Sequence, residues 1–413
     1  LDGGSLSFQM QNKITFYAFT GFLTSFAFGS ILPVYVLYFR HYQINLFQIG
    51  LLASIFEASI LIFEIPTGLV ADIYGRKISV ILSAFISLIS GIFFIFFPYF
   101  FGFIVAEILN GLGETFRSGA LESWLVDSLR HEGKEKKVKY AFAQGTKYRT
   151  LGNLSGLILG GYLASLNMKL VWIPFTLIFF ILCIFLILKM KEEYKIEKAI
   201  SDRGVSPKEV CIRPKIFETI KKSLVVIKSQ KLILALLLLV LVSGFSFEII
   251  SQYWQVHFSE NLSIRPQYFG WILAISSALT ILLIDKVTKL SEKSKHEVSS
   301  LVVLEILFLL SLLVIALVYS PILAVIFFVL LQFFANLREP IFLDLYNKHI
   351  PSEQRATLLS FQSSVGSGGE VLAGLCMGVV ALKFGLRITF GLGSVVFFLG
   401  LILFVLFVGA KQD

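Results

Sequence analysis

Charge is scarce in this chain. Asp, Glu, Lys and Arg make up 15% of its 413 residues and hydrophobic types 56%, whereas soluble domains carry roughly a quarter charged residues. Water is therefore excluded as the main solvent of the fold. Cysteine is scarce too: Cys183, Cys211 and Cys376 lie far apart without a C-x-x-C pair. That excludes a disulfide framework and a zinc site and leaves free thiols. No G-x-x-x-x-G-K-[ST] phosphate loop occurs, which disfavours an ATP-driven pump. His41, His131, His257, His296 and His349 are scattered, with no H-E-x-x-H and no G-x-S-x-G, so a polytopic membrane enzyme is a distant alternative. No metal or organic cofactor is implied.

Apolar sequence is abundant. About twelve runs, from Ile14–Tyr38 to Ile388–Val408, are each long enough to cross a hydrocarbon core of about 30 Å as a helix. The predicted fold class is an all-α polytopic membrane protein with two six-helix bundles surrounded by membrane lipids. Its expected divisions are a tail over 1–12, an N-terminal bundle over 13–190, a central linker over 191–230, a C-terminal bundle over 231–410 and a tail over 411–413. Leu1-Asp2-Gly3-Gly4-Ser5 reads like a fusion scar, and the first apolar run is too long for a signal peptide.

The net charge of +9 sits in the gaps between apolar runs and forms no stripe of its own, so nucleic acid is not an expected partner. Alternate loops hold most of it, notably Arg76-Lys77, Arg130 to Lys139, the stretch from Lys189 to Lys231, and Lys286 to Lys295. Basic loops stay cytoplasmic, which puts both termini on that side. The halves also match each other at a spacing of about 218 residues, pairing Gln144 with Gln362, Gly156 with Gly374, Gly160 with Gly378 and Tyr35 with Tyr253.

Between the second and third runs the chain reads Gly68-Leu-Val-Ala-Asp72-Ile-Tyr-Gly75-Arg76-Lys77. Gly75 permits a tight turn, Asp72 can cap or bridge a helix end, and Arg76 offers a forked donor. This resembles the G-x-x-x-D-x-x-G-R-K signature of the major facilitator superfamily. In the fifth run Gly152, Gly156, Gly160 and Gly161 resemble that family's antiporter motif, with Leu157 where the motif expects Pro. Small residues on one helix face are equally a packing device. In the fourth run Glu107 stands where the related motif often carries Arg. The wider text, including Glu64-Ile-Pro66-Thr67-Gly68 and Gln252-Tyr253-Trp254-Gln255, resembles bacterial proton-coupled drug or efflux facilitators.

Ionisable side chains inside a span are costly, so each is a functional candidate. Glu57, Glu248 and Glu370 have no opposite charge within a turn in sequence and are the first choices as proton carriers, with Glu114 behind them. Arg117, Gln252, Trp254, Tyr253, Tyr35, Asn336, Arg338 and Gln362 are the candidates for a substrate cavity near the midplane. A structural reading stands beside each: Glu114 with Arg117, and Arg338 with Glu339, can neutralise one another. Glu122, Asp127 and Asp344, close to cytoplasmic ends, read as structural.

The resemblance implies a secondary transporter working by alternating access, with Asp127 and Arg76 as a gate-locking contact. It also implies a small-molecule substrate, protons as coupling ion, a monomer and a bacterial plasma membrane. Export of a small amphipathic compound by proton antiport is the leading expectation, and a proton-coupled importer or uniporter of a metabolite is the alternative.

Overall fold

The computed structural model describes residues 3–191, 227, 230–293, 297–351 and 354–409. Cys211, nearly all of the expected linker and the tail over 411–413 lie outside the described residues. Among the described residues the chain is helical with no strand. The first half forms α1 (Gly3–Ile31), α2 (Tyr35–His41), α3 (Leu46–Tyr74), α4 (Arg76–Phe96), α5 (Phe100–Arg117), α6 (Ala120–His131), α7 (Val138–Leu166) and α8 (Trp172–Lys189). The second half forms α9 (Lys231–Val256), α10 (Phe269–Lys293), α11 (Glu297–Leu317), α12 (Pro321–His349), α13 (Arg355–Phe384) and α14 (Leu386–Gly409).

Among the described residues, ten helical stretches are long and apolar enough to cross a membrane, α1 and α2 counting together as Lys13–His41. The regions of α5–α6 and α7, expected as the fourth and fifth spans, fall outside that set. Their sequences are diluted by Glu107, Glu114, Arg117, Glu122 and Asp127 in one case and by Lys139, Lys147 and Arg149 in the other. The expected single helix over the fourth run is also broken. Gly119 adopts φ 68° at the N-cap of α6, a left-handed conformation that glycine enters without a Cβ clash. Pro33 similarly sits in a 3-10 turn, Leu32–Val34, between α1 and α2.

The chain forms two compact units. The first gathers the described residues of Leu1–Ile44, Ile55–Val210 and Arg265–Trp271. Here α7 lies along α1, with Gly152, Gly156 and Gly160 facing the backbone carbonyls of Phe22, Phe26 and Ser30. Side chains there would hold the two backbones apart. A serine stripe on α4 joins it to α5: Ser79, Ser83 and Ser90 donate to the carbonyls of Phe116, Gly113 and Ala106 at 2.8, 2.8 and 2.9 Å. Trp172 stacks on Phe94 at 3.6 Å between ring centroids.

The second unit gathers the described residues of Asn45–Ser54, Cys211–Ile264 and Ile272–Asp413. Within it the Ser54 hydroxyl donates to the Val371 carbonyl at 2.9 Å and the Tyr253 hydroxyl to the Leu46 carbonyl at 3.1 Å. The packing order of the first unit recurs. There α1 meets α7 and α8, and α4 meets α5 and α8; here α9 meets α13 and α14, and α11 meets α12 and α14. That is the structural counterpart of the repeat in the sequence.

Candidate functional site

A polar cluster grows in the first unit from the break between α5 and α6. Arg117, the last residue of α5, pairs with Glu114 one turn earlier and lies over the Phe28 ring, 4.9 Å from its centroid. Arg149 of α7 pairs with Glu122 in the first turn of α6, and its guanidinium also donates to the Tyr17 hydroxyl at 2.9 Å. Gly21 makes room for this arginine: a Cβ there would lie 2.9 Å from Arg149 Cγ.

These two pairs border a cavity of about 160 Å³. Its lining combines Arg117, Glu122 and Arg149 and hydroxyls from Thr20, Thr24 and Ser83 with the apolar side chains of Phe179, Leu182 and Leu186 of α8. The four charged side chains keep roughly a third of their surface accessible, Arg149 37% and Glu122 33%. The arrangement is neither a sealed core pair nor a solvated surface pair.

Deeper on α5, Glu107 is 0% exposed and accepts a hydrogen bond from the Tyr35 hydroxyl through Oε1. The Asn110 side chain also interacts favourably with this carboxyl; among the described residues no donor reaches Oε2 in hydrogen-bond geometry. A buried carboxyl oxygen without a donor is far more costly as an anion than as a neutral hydroxyl.

The sequence-derived candidates are distributed between the units. Glu114, Arg117 and Tyr35 belong to the cluster just described, and Glu57 is half-buried on α3 in the same unit. In the second unit Glu248, Glu370 and Gln362 are half-buried. Gln252, Tyr253 and Trp254 are buried, Trp254 stacking on Phe328 at 4.5 Å. Asn336 is exposed and reaches Thr280 at 3.4 Å.

The expected pairing of Arg338 with Glu339 is replaced. Arg338 donates to Glu305 of α11 at 3.0 Å and lies over Phe308, while Glu339 is exposed. Adjacent residues on a helix point about 100° apart, so a partner on a facing helix wins. Glu122 likewise proves to be a wall of the cavity. Arg149 and Glu305 were not singled out in the sequence at all. Glu305 is the lone ionisable residue of its apolar run and Arg149 shares the fifth run with Lys147, so the cost of burying charge marks both.

In the Gly68 to Lys77 segment, Gly75 carries φ 101° between α3 and α4, as its turn role requires. The Asp72 side chain lies outside the described residues. Arg76 opens α4 and Asp127 is half-buried on α6, and these two helices pack together. Gly152, Gly156, Gly160 and Gly161 of the fifth run are buried, the first three against α1 and Gly161 near the backbone of Gln267 and Gly270. Among the described residues no group of His, Cys, Asp and Glu is placed to hold a metal ion.

The model of the Major Facilitator Superfamily matches residues 17–253 and 236–413. The chain is 28% identical over 399 residues to the uncharacterized MFS-type transporter YxaM of Bacillus subtilis, covering 96% of each protein. In fold it is similar to the nucleoside transporter NupG, with a TM-score of 0.79 at 14% identity over 96% of this chain and 99% of that one. It is similar also to a POT family transporter solved with 5-aminolevulinic acid, with a TM-score of 0.73 at 12% identity over 95% of each chain. The chain belongs to the Major Facilitator Superfamily and is a multi-pass membrane transporter of the secondary-transporter kind, not an enzyme.

Proposed function

We propose that this transporter exchanges a small amphipathic solute for protons across a bacterial plasma membrane, working as a monomer by alternating access. In this reading the chain crosses the membrane twelve times with both termini cytoplasmic, the bundles fall over 13–190 and 231–410, and 191–230 is the cytoplasmic linker. The interrupted α5–α6 and the polar α7 supply the two crossings beyond the ten apolar stretches, since irregular and charged segments are tolerated where they face a cavity. Arg76 and Asp127 serve as the cytoplasmic lock, a role favoured by the packing of α4 on α6. Protons running inward down their gradient drive the solute outward.

The observation that carries the proton part is Glu107. It is fully buried between the Tyr35 hydroxyl and the Asn110 side chain, so proton binding and release there change its hydrogen bonding. The amphipathic part rests on the cavity, whose lining combines charged and apolar side chains.

The test is proton flux in proteoliposomes with an imposed pH gradient and an internal pH dye, comparing the parent with Glu107→Gln, Glu57→Gln, Glu248→Gln and Glu370→Gln. Solute-dependent proton movement lost in Glu107→Gln, with solute binding retained, is the expected result. Solute flux with no proton movement, and all four variants silent, would overturn it. Protons moving with the solute instead of against it would establish the importer on the same fold.

A further inference from the structure

Several unsatisfied donors meet in the first unit's cavity. The Arg117 Nε is buried with no partner, although this side chain already pairs with Glu114 through Nη2. Thr20 is 3% exposed, lines the cavity and leaves its Oγ1 without a partner. The twelve-residue helix α6 starts at the cavity edge, since Ser118, Gly119, Leu121 and Glu122 all line it, and its N-cap Gly119 offers no side-chain cap. The N–H groups of that first turn therefore have no intrahelical acceptors and carry the positive end of the helix dipole.

Charge adds to this. Arg117 and Arg149 line the cavity against a single lining carboxylate, Glu122, with Glu114 paired behind Arg117. A guanidinium has five donors, and the pairs shown occupy only part of that capacity. Buried polar groups are normally satisfied. The buried Arg117 Nε and Thr20 Oγ1, unsatisfied among the described residues, and the open N–H groups of α6 call for an acceptor-rich, negatively charged group. The lining also holds Phe179, Leu182 and Leu186, an apolar surface that such a group alone would leave uncovered.

We infer that this cavity holds the carboxylate end of a compact amphipathic acid, its carboxylate between Arg117, Arg149, Thr20 and the α6 N-terminus and its hydrocarbon part on α8. This deepens the exchange reading by naming the substrate class, and it rests on that reading only for the step of transport. Binding itself is independent of coupling. The site lies inside the first unit and asks nothing of the second.

The experiment is calorimetric or thermal-shift binding to the purified full-length protein in detergent. The probes are hexanoate and benzoate, their uncharged isosteres hexanamide and benzamide, and hexylamine as the cationic counterpart. Hexanoate and benzoate are expected to bind at least tenfold more tightly than their amides, with hexylamine weakest. Arg149→Gln should weaken carboxylate binding about tenfold or more, Arg149→Lys less, and Thr20→Val by several-fold, because a charge-assisted hydrogen bond contributes roughly twice a neutral one. The Lys and Val variants guard against simple misfolding, since each conserves volume. Amide and amine binding as tightly as the acids, or carboxylate binding unchanged in Arg149→Gln and Thr20→Val, would overturn the assignment. Carboxylate binding without proton flux would sink the exchange reading and leave this site standing. Proton-coupled flux of hexylamine with no carboxylate binding would do the reverse.

Discussion

Both units hold arginine–glutamate ion pairs, two in the first and one in the second among the described residues, and they differ in what surrounds them. In the first unit Arg117–Glu114 and Arg149–Glu122 border a cavity and keep about a third of each side chain accessible. In the second, Arg338–Glu305 ties α12 to α11 with 16% and 2% accessibility, closed over by Phe308. The chemistry of the partners is the same, and solvent access separates their roles. A sealed pair is a strut whose breakage leaves a charge in low dielectric, whereas an accessible pair can trade its partner for a ligand.

Breaking the strut should give the largest effect. Glu305→Ala leaves Arg338 buried without its carboxylate and is expected to destabilise the protein by about 3–5 kcal/mol, seen as lost monodisperse protein or a lowered unfolding temperature in detergent. Replacing the two together, as Glu305→Leu with Arg338→Met, should recover most of that loss. A double variant as unstable as the single one would show that the pair is not what holds α11 to α12. Next comes the glycine seam of α7. Gly160→Val places a side chain against the Ser30 carbonyl and is expected to cost about 1–3 kcal/mol through overpacking. A neutral result would mean that α1 and α7 are not in backbone contact there.

The cavity pairs should respond differently. Arg149→Gln is expected to change stability by about 1 kcal/mol or less, as pairs in partial contact with solvent usually do, while its effect on binding is large.

The smallest effect expected lies outside the spans, at Glu132. Burial pushes its carboxyl up, but Lys13 at 2.6 Å and Lys134 at 3.1 Å outweigh that and hold it below the usual carboxylate range. A group lowered on folding stabilises the protein above its unfolded value, about 4.3 for Glu, and loses that contribution as the pH falls through the folded value. Glu132→Gln should therefore be slightly less stable than the parent at pH 7 and indistinguishable from it once the pH lies below the lowered folded value. A difference that persists at low pH would assign the effect to packing.

The sequence carried the coarse answer in its apolar runs and in Gly68 to Lys77, where a turn glycine at position 75 needs no neighbour to be understood. Glu114 with Arg117 was legible as well, because three residues along one helix bring side chains together. What stayed hidden depended on contacts across helices. Arg149 and Glu122 are separated by 27 positions and Arg338 and Glu305 by 33, and helical periodicity relates residues only along one helix. The nearest charge in sequence was consequently the wrong partner for Arg338. The break at Gly119 was hidden for another reason: Ser-Gly inside an apolar run is tolerated in membrane helices, so it does not by itself predict an interruption. Hydropathy also passed over the cavity, because its charged lining comes from α5, α6 and α7, the segments least like ordinary spans.

The most direct test sets the two arginines against each other in one protein preparation, measuring unfolding temperature and hexanoate binding for Arg149→Gln and Arg338→Gln. Arg149→Gln is expected to keep the parent's unfolding temperature and lose hexanoate, and Arg338→Gln to unfold at a clearly lower temperature while its folded fraction still binds. The opposite pattern, with Arg149→Gln unstable and Arg338→Gln unable to bind, would contradict the division of the two units into a site and a strut.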